Sequence, residues 1–451
     1  MTQPVSKYAV RNPATGEVLE NFPTATDAEV AAAVDAAAAA HERWGRGASG
    51  AERAVVIRRV AELHRERSGE LAKAIHLEMG KALPAAEGEV AFSADIYQFY
   101  ADRAEELLAD EEIELLGGEG RALLRRQSVG PLLGIMPWNY PVYQVARFAA
   151  PNLLLGNTIV LKHAAQCPRS AALQAEILLD AGLPAGAYVN VYATSDQVAA
   201  VIADPRVQGV SLTGSERAGS IIGELAGRHL KKCVLELGGS DPFVLLSTDD
   251  LAAAVDDALA ARVGNVGQAC NGAKRFVVVD ELYDAFVDLL RERIASAGTG
   301  APLSSVGAAE ELAAQVEAAV AAGAVLESAG EREGAFHPVG VLTGVTPDNP
   351  AYHQEFFGPV AMVFRAADEA DAVRIANDTP YGLGSYVYTT DPEQADRVAS
   401  ALEAGMVFVN GVGLEAVELP FGGVRRSGYG RELGRLGIEE FVNKKMIRIA
   451  R

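Results

Sequence analysis

From Val129 onward the chain repeats one unit: a short apolar run, a turn and then a helical segment. "GPLLGIMPWN" precedes a helical pattern over 142–152, and "GNTIVLKHA" precedes one over 169–181. "YVNVYA" leads into 196–203, and "VQGVSLTGS" into 217–226. Apolar runs without polar alternation suit strands buried on both faces, and such strands joined through helices pair in parallel. The spacing therefore predicts an α/β fold on a doubly wound parallel sheet. A second series starts near "KCVLELGGSDPFVLL" and ends near "PFGG" at 420–423. Its strands are "RFVVVD", "AMVFRA" and "GMVFVN", with helices over 249–262, 281–296 and 368–377.

Ahead of the repeat, residues 27–79 set Ala, Val and Leu between charges at helical spacing, and another helix reads from 87 to 108. "EIELL" and "RALLRRQSVG" flank a "GGEG" turn and read as a β-hairpin. The tail "GIEEFVNKKMIRIA" ends in a strand-like run, which needs a partner in the hairpin or in another subunit. A chain of 451 residues exceeds what one core normally organises. A net charge of −20 disfavours nucleic acid and anionic membrane surfaces as partners. The three cysteines, Cys167, Cys233 and Cys270, are odd in number and lie in no Cys/His cluster. They suggest a reducing compartment, the cytoplasm, and no metal site. The N-terminus lacks a signal-peptide pattern, and the longest apolar stretch is broken by Pro151, Asn152, Gly156 and Asn157 before it could span a bilayer.

Ligands of open parallel sheets bind beyond the carboxyl ends of the strands. Lys162, at the end of "IVLKHA", and the "SLTGSERAG" turn with Gly214, Ser215 and Gly219 fall on such a rim. Asn139 stands between two prolines in "PWNYP", and Glu236 precedes the Gly-Gly of "LELGGSDPF". Taken singly these are ordinary features: a solvated lysine, a turn asparagine, a helix-entry glycine, a strand end. Cys270, in "GNVGQACNGAKRF", taken alone is a small buried hydrophobe.

In their order along the chain, "PWNYP", "LKHA", "SLTGSERAG", "LELGGSDPF", "GQACNGAKRF", "QEFFGPV" and "ELPFGGVRRSGYGRELG" resemble the aldehyde dehydrogenase superfamily, over about residues 8 to 450. The resemblance implies a Rossmann-type cofactor domain (1–110 and 130–235) and an α/β catalytic domain (236–423). It also implies an oligomerisation element from the hairpin and tail (111–129 and 437–451), and hence a homodimer or homotetramer. It gives Cys270 the role of nucleophile, Glu236 that of general base and Asn139 that of side-chain donor in an oxyanion hole. Those residue types suit the reaction. An aldehyde yields hydride only after a nucleophile has built a tetrahedral alkoxide, which a thiol can do readily. Hydride loss leaves a thioester, which a base-activated water can hydrolyse.

The same resemblance assigns Trp138, Lys162, Ala165, Gly214, Ser215, Gly219, Glu355 and Phe357 to a nicotinamide dinucleotide. NAD-preferring relatives often carry Glu where Ala165 stands, so no carboxylate there repels a 2′-phosphate. NADP is expected to be preferred, with NAD as the lesser option. Among superfamily members the chain looks most like bacterial succinate-semialdehyde dehydrogenases of the shorter type. Arg147 is then expected to face the substrate entrance and take a distal carboxylate, with Tyr143 beside it. Glu415 departs from that pattern: it aligns with a small hydroxyl residue and would suit a cationic or hydroxylated aldehyde better. Gly272 replaces a second cysteine common two residues after the nucleophile. "SAGTGAPLSSVGAAEELAAQV" looks like a shortened peripheral stretch.

Overall fold

The computed structural model describes residues 6–297 and 300–450. Among these, two mainly parallel sheets carry the chain. The first has six strands in the spatial order Gly428–Tyr429, Lys232–Glu236, Gly209–Thr213, Pro131–Met136, Thr158–His163 and Tyr188–Asn190. Only the two-residue Gly428–Tyr429 strand runs antiparallel to its neighbour. Every residue of Pro131–Met136 and of Gly209–Thr213 is buried, which is why both segments read as unbroken apolar runs. The second sheet has seven strands, and five of them, Gly340–Thr343, Val360–Ala366, Ala273–Val279, Asp241–Leu245 and Tyr386–Tyr388, are consecutive neighbours. The chain passes from Lys232–Glu236 in the first sheet to Asp241–Leu245 in the second through residues 237–240 alone. The Gly-Gly break of the sequence is this crossing.

The helices fall where the periodicity places them, with shifted ends. The 142–152 expectation becomes Tyr143–Leu155, which runs through Pro151 and stops at Gly156 with φ +101°. Asn152 Nδ2 donates to the Phe148 carbonyl at 2.8 Å, so a side chain takes up an acceptor in the proline turn. The single helix expected over 87–108 is two, Leu83–Asp102 and Ala104–Leu108. The hairpin forms between Glu111–Ile113 and Arg121–Ser128, and Val442–Ile449 pairs antiparallel with all eight residues of the latter. The tail therefore finds its partner within the same chain. No helix among the described residues is long and apolar enough to cross a membrane.

Asn157 ties the tail to the first sheet. Fully buried, it accepts from the Val129 N–H (2.8 Å) and the Gly130 N–H (3.2 Å), and donates to the Phe441 carbonyl (2.8 Å). Asn157→Ala would leave three backbone groups, two buried and one half-buried, without this partner. It should lower unfolding free energy by about 2–4 kcal/mol in a denaturant titration, and a change below about 0.5 kcal/mol would refute this reading of the junction.

Candidate active site

At the crossing between the sheets two glycines are forced by close approach. A Cβ on Gly239 would stand 2.5 Å from the Cys270 carbonyl oxygen, and one on Gly238 would collide with the Glu355 carboxylate. The strand carrying Glu236 thus passes directly under the loop carrying Cys270. A cleft of about 320 Å³ opens here, and Trp138, Asn139, Gly214, Ser215, Cys270, Glu355 and Phe357 all contribute to its wall. Seven residues expected from separate motifs are therefore neighbours.

Cys270 is half-buried and sits in a turn between a distorted helical segment, Gly264–Gly267, and the strand Ala273–Val279. Asn265, Val266 and Gly267 all have positive φ (51°, 54° and 75°). Such a conformation is rare for a β-branched residue and needs its surroundings to hold it. Two buried cations do so. Arg262 donates to the Gly267 carbonyl and, at 3.3 Å, to that of Ala273. Lys274 Nζ donates to the carbonyls of Ala269 (2.9 Å), Cys270 (2.7 Å) and Gly272 (3.2 Å). Burial pushes the Cys270 thiol up to about 12, against the opposing pull of Arg147 and Lys274.

Asn139 is held as tightly. Its Nδ2 donates to the Gln268 carbonyl at 3.1 Å, two residues before Cys270, which leaves the second amide hydrogen for a ligand. Its own carbonyl accepts from Lys81 Nζ (2.9 Å) and Asn265 Nδ2 (3.0 Å). Lys81 pairs with Glu89 at 2.5 Å, and Glu89 accepts the N–H groups of Val142 (2.8 Å) and Tyr143 (3.1 Å) that open the next helix.

Glu236 ends its strand buried, with neither carboxylate oxygen hydrogen-bonded, and a Cβ on Gly422 would lie 2.6 Å from one of them. Burial holds its carboxyl well above the usual range; Arg147 opposes this and Glu432 adds to it. Arg147 departs from its expected place. Its side chain is wholly buried, ion-paired to Glu432, with its guanidinium 4.3 Å from the Phe421 ring centre and 5.1 Å from that of Tyr143. It is an internal cation already neutralised by a carboxylate, not a free one at the substrate entrance. Glu415 accepts from Nδ2 of Asn271, the residue after Cys270, at 2.6 Å, but does not line the Cys270 cleft.

The cofactor residues fit a dinucleotide. Ser215 caps the 13-residue helix Glu216–Arg228, and its hydroxyl accepts only the Ala218 N–H among the first-turn amides, leaving others for an anion. A Cβ on Gly219 would collide with the Leu237 side chain at 2.6 Å, so this glycine lets the helix lie close to the crossing. Trp138 and Phe357 meet edge to face at 5.7 Å. Glu355 accepts the Gly239 N–H at 3.1 Å and lies 3.4 Å from Lys274. Lys162 has no carboxylate partner among the described residues, and burial together with the charge of Lys7 lowers it to about 8. The Ala165 carbonyl accepts the Ala9 N–H at 3.2 Å, which brings the first strand alongside.

The family model "Aldehyde dehydrogenase family" matches residues 1–447. The chain belongs to the aldehyde dehydrogenase family. It is 49% identical to a succinate-semialdehyde dehydrogenase [NADP(+)] of Deinococcus radiodurans, over 99% of this chain and 95% of that one. The crystal structure of the succinic semialdehyde dehydrogenase of Streptococcus pyogenes in complex with NADP+ superposes with a TM-score of 0.95 at 40% identity, covering 98% of this chain and 99% of that one. A salicylaldehyde dehydrogenase of Pseudomonas putida G7 complexed with salicylaldehyde has a TM-score of 0.93 at 33% identity, covering 98% and 94%.

Several residues of this aldehyde dehydrogenase site escape the sequence reading. Lys274 and Arg275 lie in "AKRFVVV", a strand buried at every position, and two cations in such a strand are a signal that buried acceptors face them. Ala308, Glu311 and Gln315 show that the helix Val306–Ala321, within the stretch read as peripheral, also lines the cleft.

The raised thiol sets a pH dependence. A thiol above its ordinary value is mostly protonated at neutrality, so alkylation of Cys270 in the free enzyme should climb about tenfold per pH unit from 7 to 9. A plateau below pH 8 in the iodoacetamide rate would contradict it.

Proposed function

We propose that the chain oxidises succinate semialdehyde, or a closely similar semialdehyde, to the carboxylic acid with NADP. The observation that carries the chemistry is the placement of Cys270 and Asn139 on one cleft wall, with the buried Glu236 close enough to act on the charge of Cys270. Cys270 Sγ adds to the aldehyde carbon as its proton passes to solvent, and the proton that Glu236 later takes from water is the one that returns to the sulfur. The alkoxide that forms is met by the free Asn139 amide hydrogen and by the Cys270 N–H. One such donor is worth about 3 kcal/mol of barrier. NADP, when bound against Gly214, Ser215 and Glu355, supplies the hydride acceptor that turns this adduct into a thioester. Glu236 then takes a proton from water, and the hydroxide attacks the thioester carbon while the same two donors hold the second oxyanion. The acid leaves, and Cys270 regains its proton. Arg147 favours the ionised Glu236 that this step needs, and Glu432 restrains it.

Two further observations support the cofactor and substrate. Lys162 has no carboxylate partner among the described residues, and Ala165 leaves it unopposed, as a 2′-phosphate requires. Relatives at 49% and 40% identity carry the NADP and succinate-semialdehyde descriptions. In this reading residues 1–110 and 130–235 form the dinucleotide domain and 236–423 the catalytic one, and the enzyme works in the cytoplasm as a homo-oligomer. The hairpin and tail, with Leu116 fully exposed and Met446 60% exposed, are its docking element. One observation favours a second reading: the Glu415 carboxylate accepts from Asn271, the residue after Cys270. That suits a cationic or hydroxylated aldehyde.

The test is a panel of succinate semialdehyde, an aminoaldehyde, an aromatic and an aliphatic aldehyde with each cofactor. We expect the highest kcat/KM for succinate semialdehyde, a preference of about tenfold or more for NADP, and loss of most of that preference in Lys162→Met. Equal or better kcat/KM with NAD would sink the cofactor reading, and a preference for the aminoaldehyde would favour the Glu415 reading.

A further inference from the structure

Three carbonyl oxygens, those of Ala269, Cys270 and Gly272, converge on one buried ammonium, Lys274 Nζ, at 2.9, 2.7 and 3.2 Å. A lysine that needed only charge balance would take a carboxylate, yet Glu355 stands further off, at 3.4 Å. The three N–H donors of the ammonium are spent on backbone. In a planar trans peptide, the carbonyl of one residue and the N–H of the next point in opposite directions. The Ala269 carbonyl and the Cys270 N–H share such a plane. By capturing that carbonyl from the protein side, Lys274 fixes the Cys270 N–H toward the other side.

We propose that Lys274 is a positioning residue that keeps the 269–270 peptide oriented so that the Cys270 N–H completes the oxyanion hole. Removing the ammonium leaves three carbonyl oxygens crowded together in a dry interior, where only the neutral Gly272 N–H, 3.2 Å from the Ala269 oxygen, remains as a donor. Rotation of the 269–270 peptide relieves that crowding, and in the rotated form a carbonyl oxygen faces the developing alkoxide. Gly272, two residues on, carries no side chain to oppose that rotation. The backbone of Asn139 keeps anchors of its own in Lys81 and Asn265. Lys274 contacts the peptide of one of the two donors and not that of the other.

The inference rests on the reading of Cys270 as nucleophile, and cofactor-free ester hydrolysis tests the two separately. With p-nitrophenyl acetate, the Cys270 thiolate attacks the ester carbon, p-nitrophenolate leaves, and water hydrolyses the acetyl thioester to acetate. The step needs the oxyanion hole but no hydride acceptor. In Lys274→Met we expect kcat to fall about 10²-fold both for this ester and for aldehyde oxidation, with the KM for NADP changed less than about threefold. Lys274→Arg keeps the charge but spreads its donors in a flat fork, so it should recover only part of the loss. If the Met variant does not fold, the Arg variant decides. Full ester hydrolysis in either variant overturns the proposal. So does a loss confined to the cofactor-dependent reaction, which would place Lys274 in the service of Glu355. Ester hydrolysis that survives in Cys270→Ala removes the nucleophile reading itself.

Discussion

The turn that presents Cys270 must bring a sulfur to the floor of a cleft without the water that would normally satisfy its backbone. Arg262 and Lys274 resolve this by donating to five carbonyl oxygens of residues 267–273. Unpaired carbonyls in such a place would each cost about 1–3 kcal/mol. The two side chains therefore hold a conformation that the positive φ angles of Asn265 and Val266 would otherwise oppose. The rest of the site is built around this turn. Gly239 exists to let the neighbouring strand pass beneath the Cys270 carbonyl, and Asn139 is anchored through the Gln268 carbonyl of the same turn.

A second constraint is electrostatic. Glu236, Arg147 and Glu432 are all buried close to one another, and such charges persist only in balance. Glu236 has no hydrogen-bond partner and a raised affinity for its proton, as befits a group whose partner is to be a water or a reacting species. Arg147 mediates between the two glutamates. It therefore acts on the charge of Glu236, a different place from the one the family resemblance suggests for it.

Much of this was legible in the residues. The two sheets follow from apolar runs that never alternate, because central parallel strands are covered on both faces. Cys270, Asn139, Gly214, Ser215 and Glu355 could be gathered from ordered motifs before any coordinates, and they line one cleft. What escaped depended on partners distant in sequence. Nothing local to Arg147 announces Glu432, which folds back from near the C-terminus to meet it. Lys274 hides in a run that reads as an ordinary strand, and its role appears only when three carbonyls turn toward it. The proline at 151 broke the periodic pattern, yet the helix runs through it to Leu155.

The account turns on a covalent bond at Cys270 that Glu236 is needed to release. Its most direct test is the intact mass of Glu236→Gln, quenched during turnover with succinate semialdehyde and NADP. The account predicts a stoichiometric gain of one acyl group that peptide mapping assigns to Cys270. Enzyme that turns over at the wild-type rate with an unmodified Cys270, or an acyl group on any other residue, would contradict it.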